Sequence, residues 1–329
     1  MILIKHHNEG NYEPYFYFAL EDYILNNLLK DDESYFFTWK IEGLVSGKNQ
    51  VIENEINFPF VKENNIKFFR RPTGGGSVYA DLNNTMFSII TKRSTKNFSF
   101  KNYLEKITEV FKKLNINLEF SGRNDLTLNG KKISGNAFLQ NKNGMLMHGT
   151  LMYDLDIETM VRSLTPSDEK LVSKGISSVK SRVTNLKPHL NDMSHDELIN
   201  FLESNLTNEV YEINPDEVQL LNEKAKYYAS DEFLFERQPE YTNILKQRFN
   251  WGEIEIRLKI KKGIIENFKL NGDFFDLNDL DTFEHKFIKK RYNFQTIKSI
   301  LSTEKIDDYI LGANNHDLLA LFEKYFLKT

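Results

Sequence analysis

Residues 70–81 read RRPTGGGSVYAD. Two arginines, a proline and three consecutive glycines stand directly before a segment with β-strand character. A glycine run weakens a strand and loses more entropy on folding than other residues, so the stretch is locally unfavourable unless something must approach its backbone closely. If IKFFRR (66–71) and SVYAD (77–81) are strands, Thr73–Gly76 connects them, and its bare amides can face an anion. Arg70 and Arg71 would flank that concavity on alternating faces, and an arginine fork suits carboxylate or phosphate. The alternative is a flexible hairpin loop with solvated arginines. Neither GxxxxGK[ST] nor a GxGxxG in strand-then-helix context is present, so the common nucleotide fingerprints do not apply.

Outward from this segment, the short β-type runs YFFTWKI, IKFFRR, SVYAD and TMFSIITK, spread between Tyr35 and Ile90, predict a mostly antiparallel sheet. Upstream, PYFYFALEDYILNNLLK (14–30) spaces Phe16, Ala19, Leu20, Tyr23, Ile24 and Leu28 as one face of a helix, with Pro14 suited to its first turn. Downstream, FKNYLEKITEVFKKLN from Phe100 is helical in period. LVSKGISSVKSRVTNLKPHL (171–190) is polar, glycine-containing and weakly periodic, and reads as a mobile loop. WGEIEIRLKIKKGIIENFKLNG (251–272) predicts two strands joined at Lys262-Gly263 and followed by helices. A small C-terminal α+β domain behind a hinge at Lys246–Asn250 is the expected organisation.

Composition excludes several classes. With 329 residues, 40% of them hydrophobic, the chain can build one large domain and a smaller one. A net charge of -4 without a basic block argues against nucleic acid, and no apolar run has membrane-spanning length. MILIKHHNEG lacks the features of a secretory signal, so a cytoplasmic protein is expected. The absence of cysteine excludes disulfides, thiolate metal sites and a cysteine nucleophile. His6 and His7 would face opposite ways on a strand, and no zinc site is expected.

Two further constellations carry chemistry. In GRNDLTLNGKKISGNAF (122–138), Asn129-Gly130 is a strong two-residue turn signal. Pairing across it sets Leu128 opposite Lys131 and Thr127 opposite Lys132, so Lys132 shares a face with Thr127 and, diagonally, with Asp125. One lysine can thus enter a pocket near a carboxylate while Lys131 is solvated; the plainer reading makes both ordinary surface residues. In MHGT (147–150), His148 is either a ligand contact or a satisfied structural histidine.

Taken in order and at their spacing, RRPTGGGSVYAD, GRNDLTLNGKKISGNAF, MHGTLMYDLD and LVSKGISSVKSRVTNL resemble the lipoate-protein ligase A family, as do PYFYFALEDYI, SGKNQVIENEIN (46–57) and WGEIEI. The resemblance spans essentially the whole chain. It implies an α/β (α+β) architecture: a large biotin/lipoate-ligase-like domain over 1–245, with mostly antiparallel sheets and flanking helices, and a small mobile α+β domain over 246–329. It implies ATP-dependent activation of lipoate, and also of octanoate, to the acyl adenylate, followed by amide formation with a lysine of lipoyl carrier domains. These would be 2-oxoacid dehydrogenase E2 subunits or the glycine cleavage H protein, met by a monomeric enzyme. Carried over residue by residue, Arg71, Gly76, Ser77, Val78 and Tyr79 contact the nucleotide, with Arg70, Gly74 and Gly75 in support. The family's pocket lysine, between acyl carbonyl and α-phosphate, falls on Lys132. Asn124, Asp125 and His148 become ligand contacts, Asp125 also a partner for Mg²⁺, and Lys174, Gly175, Ser177, Ser178 and Arg182 the adenylate-binding loop.

One departure is plain: where the family commonly has His-Asp after the glycine-rich strand, this chain has Ala80-Asp81. If that histidine lines the acyl pocket, Ala80 leaves it roomier and less polar. Octanoyl transferases and lipoyl amidotransferases of the superfamily use a cysteine, which this chain lacks. Biotin protein ligase has a different arginine–glycine loop. A non-catalytic binder of carrier or lipoylated domains is the reading from another class.

Overall fold

The computed structural model describes residues 1–6, 13–50, 55–92, 100–121, 124–164, 181–235, 241–261 and 263–326. The chain divides into two compact units, the first formed by Met1–Ser46, Ile52–Arg71 and Ser77–Leu234. The second gathers Phe235–Thr329 together with two short early segments, Gly47–Val51 and Pro72–Gly76.

The first unit is built on an eight-stranded sheet. Its strands come from β1 (Ile2–Lys5), β2 (Ser34–Trp39), β6 (Asn84–Thr91), β7 (Leu118–Ser121), β8 (Asp125–Leu128), β9 (Lys131–Gln140), β10 (Met145–Met152) and β11 (Glu209–Glu212), in the order β11-β1-β2-β6-β10-β9-β8-β7. From β2 to β7 neighbours run antiparallel, as expected; β1 pairs parallel with both β2 and β11. The central strands β6 and β10 are buried along nearly their whole length, and they carry the polar residues Asn84, Thr85, Ser88, His148 and Thr150 into the interior with them. A second, three-stranded sheet holds β3 (Gly43–Ser46), β4 (Phe68–Arg70) and β5 (Val78–Ala80) in the order β4-β3-β5.

That order corrects the expected hairpin. β4 and β5 are not partners: each pairs with β3, one parallel and one antiparallel, so residues 71–77 connect two strands that flank β3 and do not close a hairpin. β1, β3 and β11 are among the strands that escape the sequence reading, for recognisable reasons. β1 and β3 are four residues long, and β11, EVYE, is a polar edge strand with no apolar alternation.

The helices of this unit are α1 (Tyr15–Tyr23), α2 (Phe58–Glu63), α3 (Phe100–Lys112), α4 (Ile157–Leu164), α5 (His195–Leu206), α6 (Pro215–Tyr228) and α7 (Asp231–Phe235). Helix α1 is buried more fully than a single amphipathic face requires: Phe16 through Glu21 are all inaccessible. It continues over Ile24–Leu28 as a π-helical turn, with Leu29 N–H donating to Ile24 C=O at 2.9 Å. Helix α6 starts where local chemistry says it should, with Asn214 and Glu217 forming a capping box around Pro215.

In the second unit, β12 (Asn243–Phe249), β13 (Gly252–Lys261) and β14 (Ile264–Gly272) form an antiparallel meander, covered by α8 (Leu280–Glu284), α9 (Phe294–Thr303) and α10 (Asn315–Phe326). Its core includes Trp251, Phe274 and Phe283, with Phe268 and Phe287 stacked at 4.1 Å. The unit is α+β, as the alternation at 251–272 predicts, but its start moves. Lys246–Phe249 pair with Glu255–Gly252 in the ladder and Leu245 is buried in the core, so the expected hinge at Lys246–Asn250 falls largely inside a strand. The division lies between Leu234 and Phe235, ahead of the expected 245/246 boundary. No helix among the described residues is long and apolar enough to cross a membrane.

His195, at the first position of α5, stacks on Tyr153 with 4.6 Å between ring centroids, and its Nε2 meets Thr85 Oγ1. Burial, helped by the nearby Lys40 charge, pushes its pKa down to about 4 from an ordinary 6.5. Because the folded pKa is depressed, the contribution to stability is complete above about pH 6.5 and is lost as pH falls toward 4. The urea midpoint should therefore drop between pH 7 and pH 5, and His195→Phe, which keeps the stack but cannot charge, should flatten that drop. An unchanged pH slope in the variant would assign the acid sensitivity elsewhere.

Candidate active site

The hairpin β8–β9 delivers the lysine. Asn129 and Gly130 both adopt positive φ, 51° and 75°, which is the mirror-image turn their sequence favours. The expected register follows, Leu128 opposite Lys131 and Thr127 opposite Lys132. A bulge then inserts one residue into β9, so that Leu126 faces Ser134 and Asp125 faces Gly135. Lys132 Nζ lies 2.8 Å from Asp125 Oδ1, both partly exposed, whereas Lys131 is exposed. Gly135 makes this possible: a Cβ there would sit 3.0 Å from Lys132 Nζ. Asn124 is held against the same strand, its backbone and side chain exchanging hydrogen bonds with Asn136.

The described end of the predicted adenylate-binding loop runs beside this lysine. Val183 bridges Lys132, and Thr184 N–H donates to its carbonyl at 2.9 Å. Arg182 is exposed one residue earlier; Lys174, Gly175, Ser177 and Ser178 lie outside the described residues.

The two arginines are both buried and go to different partners. Arg70 Nε donates to Leu234 C=O at 2.7 Å. Arg71 donates through Nη1 to Val45 C=O at 3.1 Å, and burial pushes its pKa down to about 10 against the opposing charge of Glu21. Ser77 Oγ lies 2.7 Å from the buried Ser46 Oγ, and the partly exposed Tyr79 has its pKa pushed up to about 12, chiefly by burial and then by Asp81. Val78 is partly exposed on the same strand, β5.

Glu21 is the functional-looking residue that the sequence reading passes over. It is wholly buried, accepts from Ser88 Oγ at 2.6 Å, and lies 3.0 Å from His148 Nδ1. Ser88 Oγ in turn accepts from Trp39 Nε1 at 3.0 Å. His148, expected as a ligand contact, is thus engaged by an internal carboxylate. A signal existed: Glu21 stands at i+4 from Tyr17 and i−3 from Ile24, a charged residue in an apolar helical row. Ala80 is fully buried in the same core cluster as Trp39 and Tyr17.

The three glycines divide by role, and all lie in the second unit. Gly75, at φ 87°, donates from its N–H to Phe274 C=O at 2.9 Å. A Cβ on Gly74 would stand 2.5 Å from that same oxygen, and one on Gly47 would stand 2.0 Å from Gly75 C=O. The close backbone approach that the sequence implies is, for Gly74 and Gly75, an approach of protein to protein. Gly76 opens on empty space, with nothing within 4 Å of the place a methyl group would occupy. Among the described residues no group of three His, Cys, Asp or Glu side chains converges as a metal cage.

Residues 13–207 match the lipoyl protein ligase A/B catalytic domain, and residues 238–322 match the bacterial lipoate protein ligase C-terminus. A lipoate-protein ligase of Bacillus subtilis is 33% identical over 324 residues, covering 95% of this chain and 98% of its own. The chain belongs to the lipoate-protein ligase family, and it is a ligase. Its fold agrees: the lipoate complex of LipL1 from P. falciparum superposes with a TM-score of 0.81 at 23% identity, covering 100% of this chain and 99% of that one. A lipoate-protein ligase A bound with ATP superposes at 0.59, also 23% identical, over 71% and 96%.

Within this ligase fold the glycines give a direct test. Gly74→Ala forces a methyl onto the Phe274 carbonyl and should cost about 1–3 kcal/mol, as overpacking does. Gly76→Ala should leave thermal stability unchanged. Calorimetry showing equal melting of both variants would contradict the division of roles.

Proposed function

We propose that this ligase joins lipoate to protein in two steps, through lipoyl-AMP, and that it accepts octanoate as well. In the first step a lipoate carboxylate oxygen attacks the α-phosphorus of ATP and the bond to pyrophosphate breaks. In the second, the amine of a carrier lysine attacks the acyl carbon, the bond to AMP breaks and the amine loses a proton. The observation that carries this reading is the Lys132–Asp125 pair, a cation oriented at 2.8 Å on a bulged hairpin beside a glycine. A carboxylate and a triphosphate repel each other, and a fixed ammonium lowers the energy of both the attack and the departure of AMP. With no cysteine in the chain, an acyl thioester on the enzyme is not available as an alternative route.

Arg71 and the backbone of Gly76 through Tyr79 would contact the nucleotide, with Arg70, Gly74 and Gly75 in support, and the loop from Lys174 to Arg182 would shield the mixed anhydride from water. Mg²⁺ fits as an ion carried mainly by phosphate oxygens: the described residues build no protein cage, and Asp125 is the carboxylate beside Lys132. Bound there, it would neutralise phosphate charge. The acceptors are lipoyl carrier domains of 2-oxoacid dehydrogenase E2 subunits or the glycine cleavage H protein.

Enzyme, ATP, Mg²⁺ and lipoate or octanoate should release pyrophosphate, and a carrier domain added to the mixture should gain the mass of the acyl group. No pyrophosphate and no mass gain with either acid would reject the reading in favour of a non-catalytic binder. Lys132→Met keeps the side-chain stem and deletes the charge. It should lower pyrophosphate release by about 10²–10³, or roughly 3–4 kcal/mol, as other single electrostatic deletions do. Lys131→Met should be nearly silent; a larger loss there than at Lys132 would refute the assignment.

A further inference from the structure

The short segments 47–50 and 72–76 belong to the second unit and hydrogen-bond within it. Gly272 N–H donates to Asn49 C=O at 2.7 Å, Lys48 N–H to Thr73 C=O at 2.8 Å, and Gly75 N–H to Phe274 C=O at 2.9 Å. One side chain from the second unit's own sequence ties these together. Asp276 accepts from the fully buried Asn49 through Oδ1, and its Oδ2 lies 3.6 Å from Lys48 Nζ. Asp276 itself is fixed by a β-bridge to Ile310, while the next residue, Leu277, donates its N–H to Tyr309 C=O at 2.7 Å. The chain of support runs from Asp276 to Asn49 and Lys48, from Lys48 N–H to Thr73, and so into the glycine run that ends at Gly76.

We propose that Asp276 is a positioning residue for the adenylation step. It holds the 47–50 segment, and through it the glycine-rich segment, in the conformation that binds ATP. The assignment rests on the reading of Gly76 and its neighbours as nucleotide contacts. Backbone amides aimed at a polyanion lose most of their worth when the loop carrying them is free to reorient, because the ordering cost then falls on the binding step. A side chain that reaches no substrate can therefore control the KM for ATP. The second step does not bind ATP and should depend on it less.

The test separates the two half-reactions in the full-length enzyme. Asp276→Ala removes both contacts. Asp276→Asn keeps an acceptor for Asn49 and gives up the charge facing Lys48, and Lys48→Met removes that charge pair from the other side. Asp276→Ala should raise the KM for ATP in pyrophosphate release at least about tenfold, while transfer from supplied lipoyl-AMP to a carrier domain changes less than about twofold. Asp276→Asn, which keeps one contact and loses the charge, should raise the KM for ATP about threefold, less than Asp276→Ala does, and Lys48→Met should resemble Asp276→Asn. An unchanged KM in Asp276→Ala, or equal losses in both half-reactions, overturns the proposal. If Asp276→Ala does not fold, the same KM readout in the Asn and Met variants decides: wild-type transfer with a raised KM for ATP supports the clamp, and wild-type values throughout overturn it. Wild-type enzyme that releases no pyrophosphate with lipoate fails the functional reading itself and the clamp with it, an outcome distinct from failure of the clamp alone.

Discussion

A carboxylate taken out of water must be answered by donors or by opposite charge, and in this protein Glu21 imposes that constraint on the core of the first unit. Its oxygens meet Ser88 on β6 and His148 on β10, and Arg71 at the end of β4 feels its charge. Trp39 on β2 completes the network through Ser88. Three central strands must therefore hold a single register, since a slip by one residue would turn His148 or Ser88 to the other face and leave the carboxylate unanswered. Removing a donor that answers a buried polar group typically costs about 1–3 kcal/mol, a sizeable fraction of a domain's net stability. The polar network thus ties these strands to one set of partners.

The second unit solves a different problem, how to bring two pieces of backbone into contact without side chains between them. At Gly47, Gly74 and Gly272 the chain approaches neighbouring carbonyl oxygens so closely that any Cβ would collide, at 2.0, 2.5 and 2.0 Å. Glycine is required there by packing. Gly76 differs from them, with nothing within 4 Å of the place its Cβ would occupy. One short run thus packs tightly within its own unit at Gly74 and Gly75 and leaves side-chain space at Gly76.

Local signals were legible wherever the deciding forces lie within a few residues. Asn129-Gly130 favours positive φ at both positions, so the turn, the pairing of Thr127 with Lys132 and the separation of Lys132 from Lys131 could all be read from one short stretch. The amphipathic and alternating segments gave helices and strands for the same reason. Where signals were weak, elements were missed: β11 is short, charged and at an edge, and β3 is a four-residue strand. Nothing in KKISG marks the bulge in β9; SGNA (134–137) offers small residues and a close-approach backbone, and only the bulge decides that Gly135 accommodates the lysine side chain.

The order of residues alone settles the two-unit α+β organisation, the absence of thiol chemistry, the hairpin that carries Lys132 and, through the succession of its motifs, the ligase family. Packing in three dimensions settles which residues answer the buried carboxylate, what the first two glycines approach, and where the second unit begins. The reason is distance along the chain. Turn and helix preferences arise from sterics between near neighbours, whereas Glu21 and His148 stand 127 positions apart, and the glycine run meets residues of the C-terminal unit. Which distant groups share a low-dielectric site depends on how whole strands pair and pack, and composition and spacing carry no record of that.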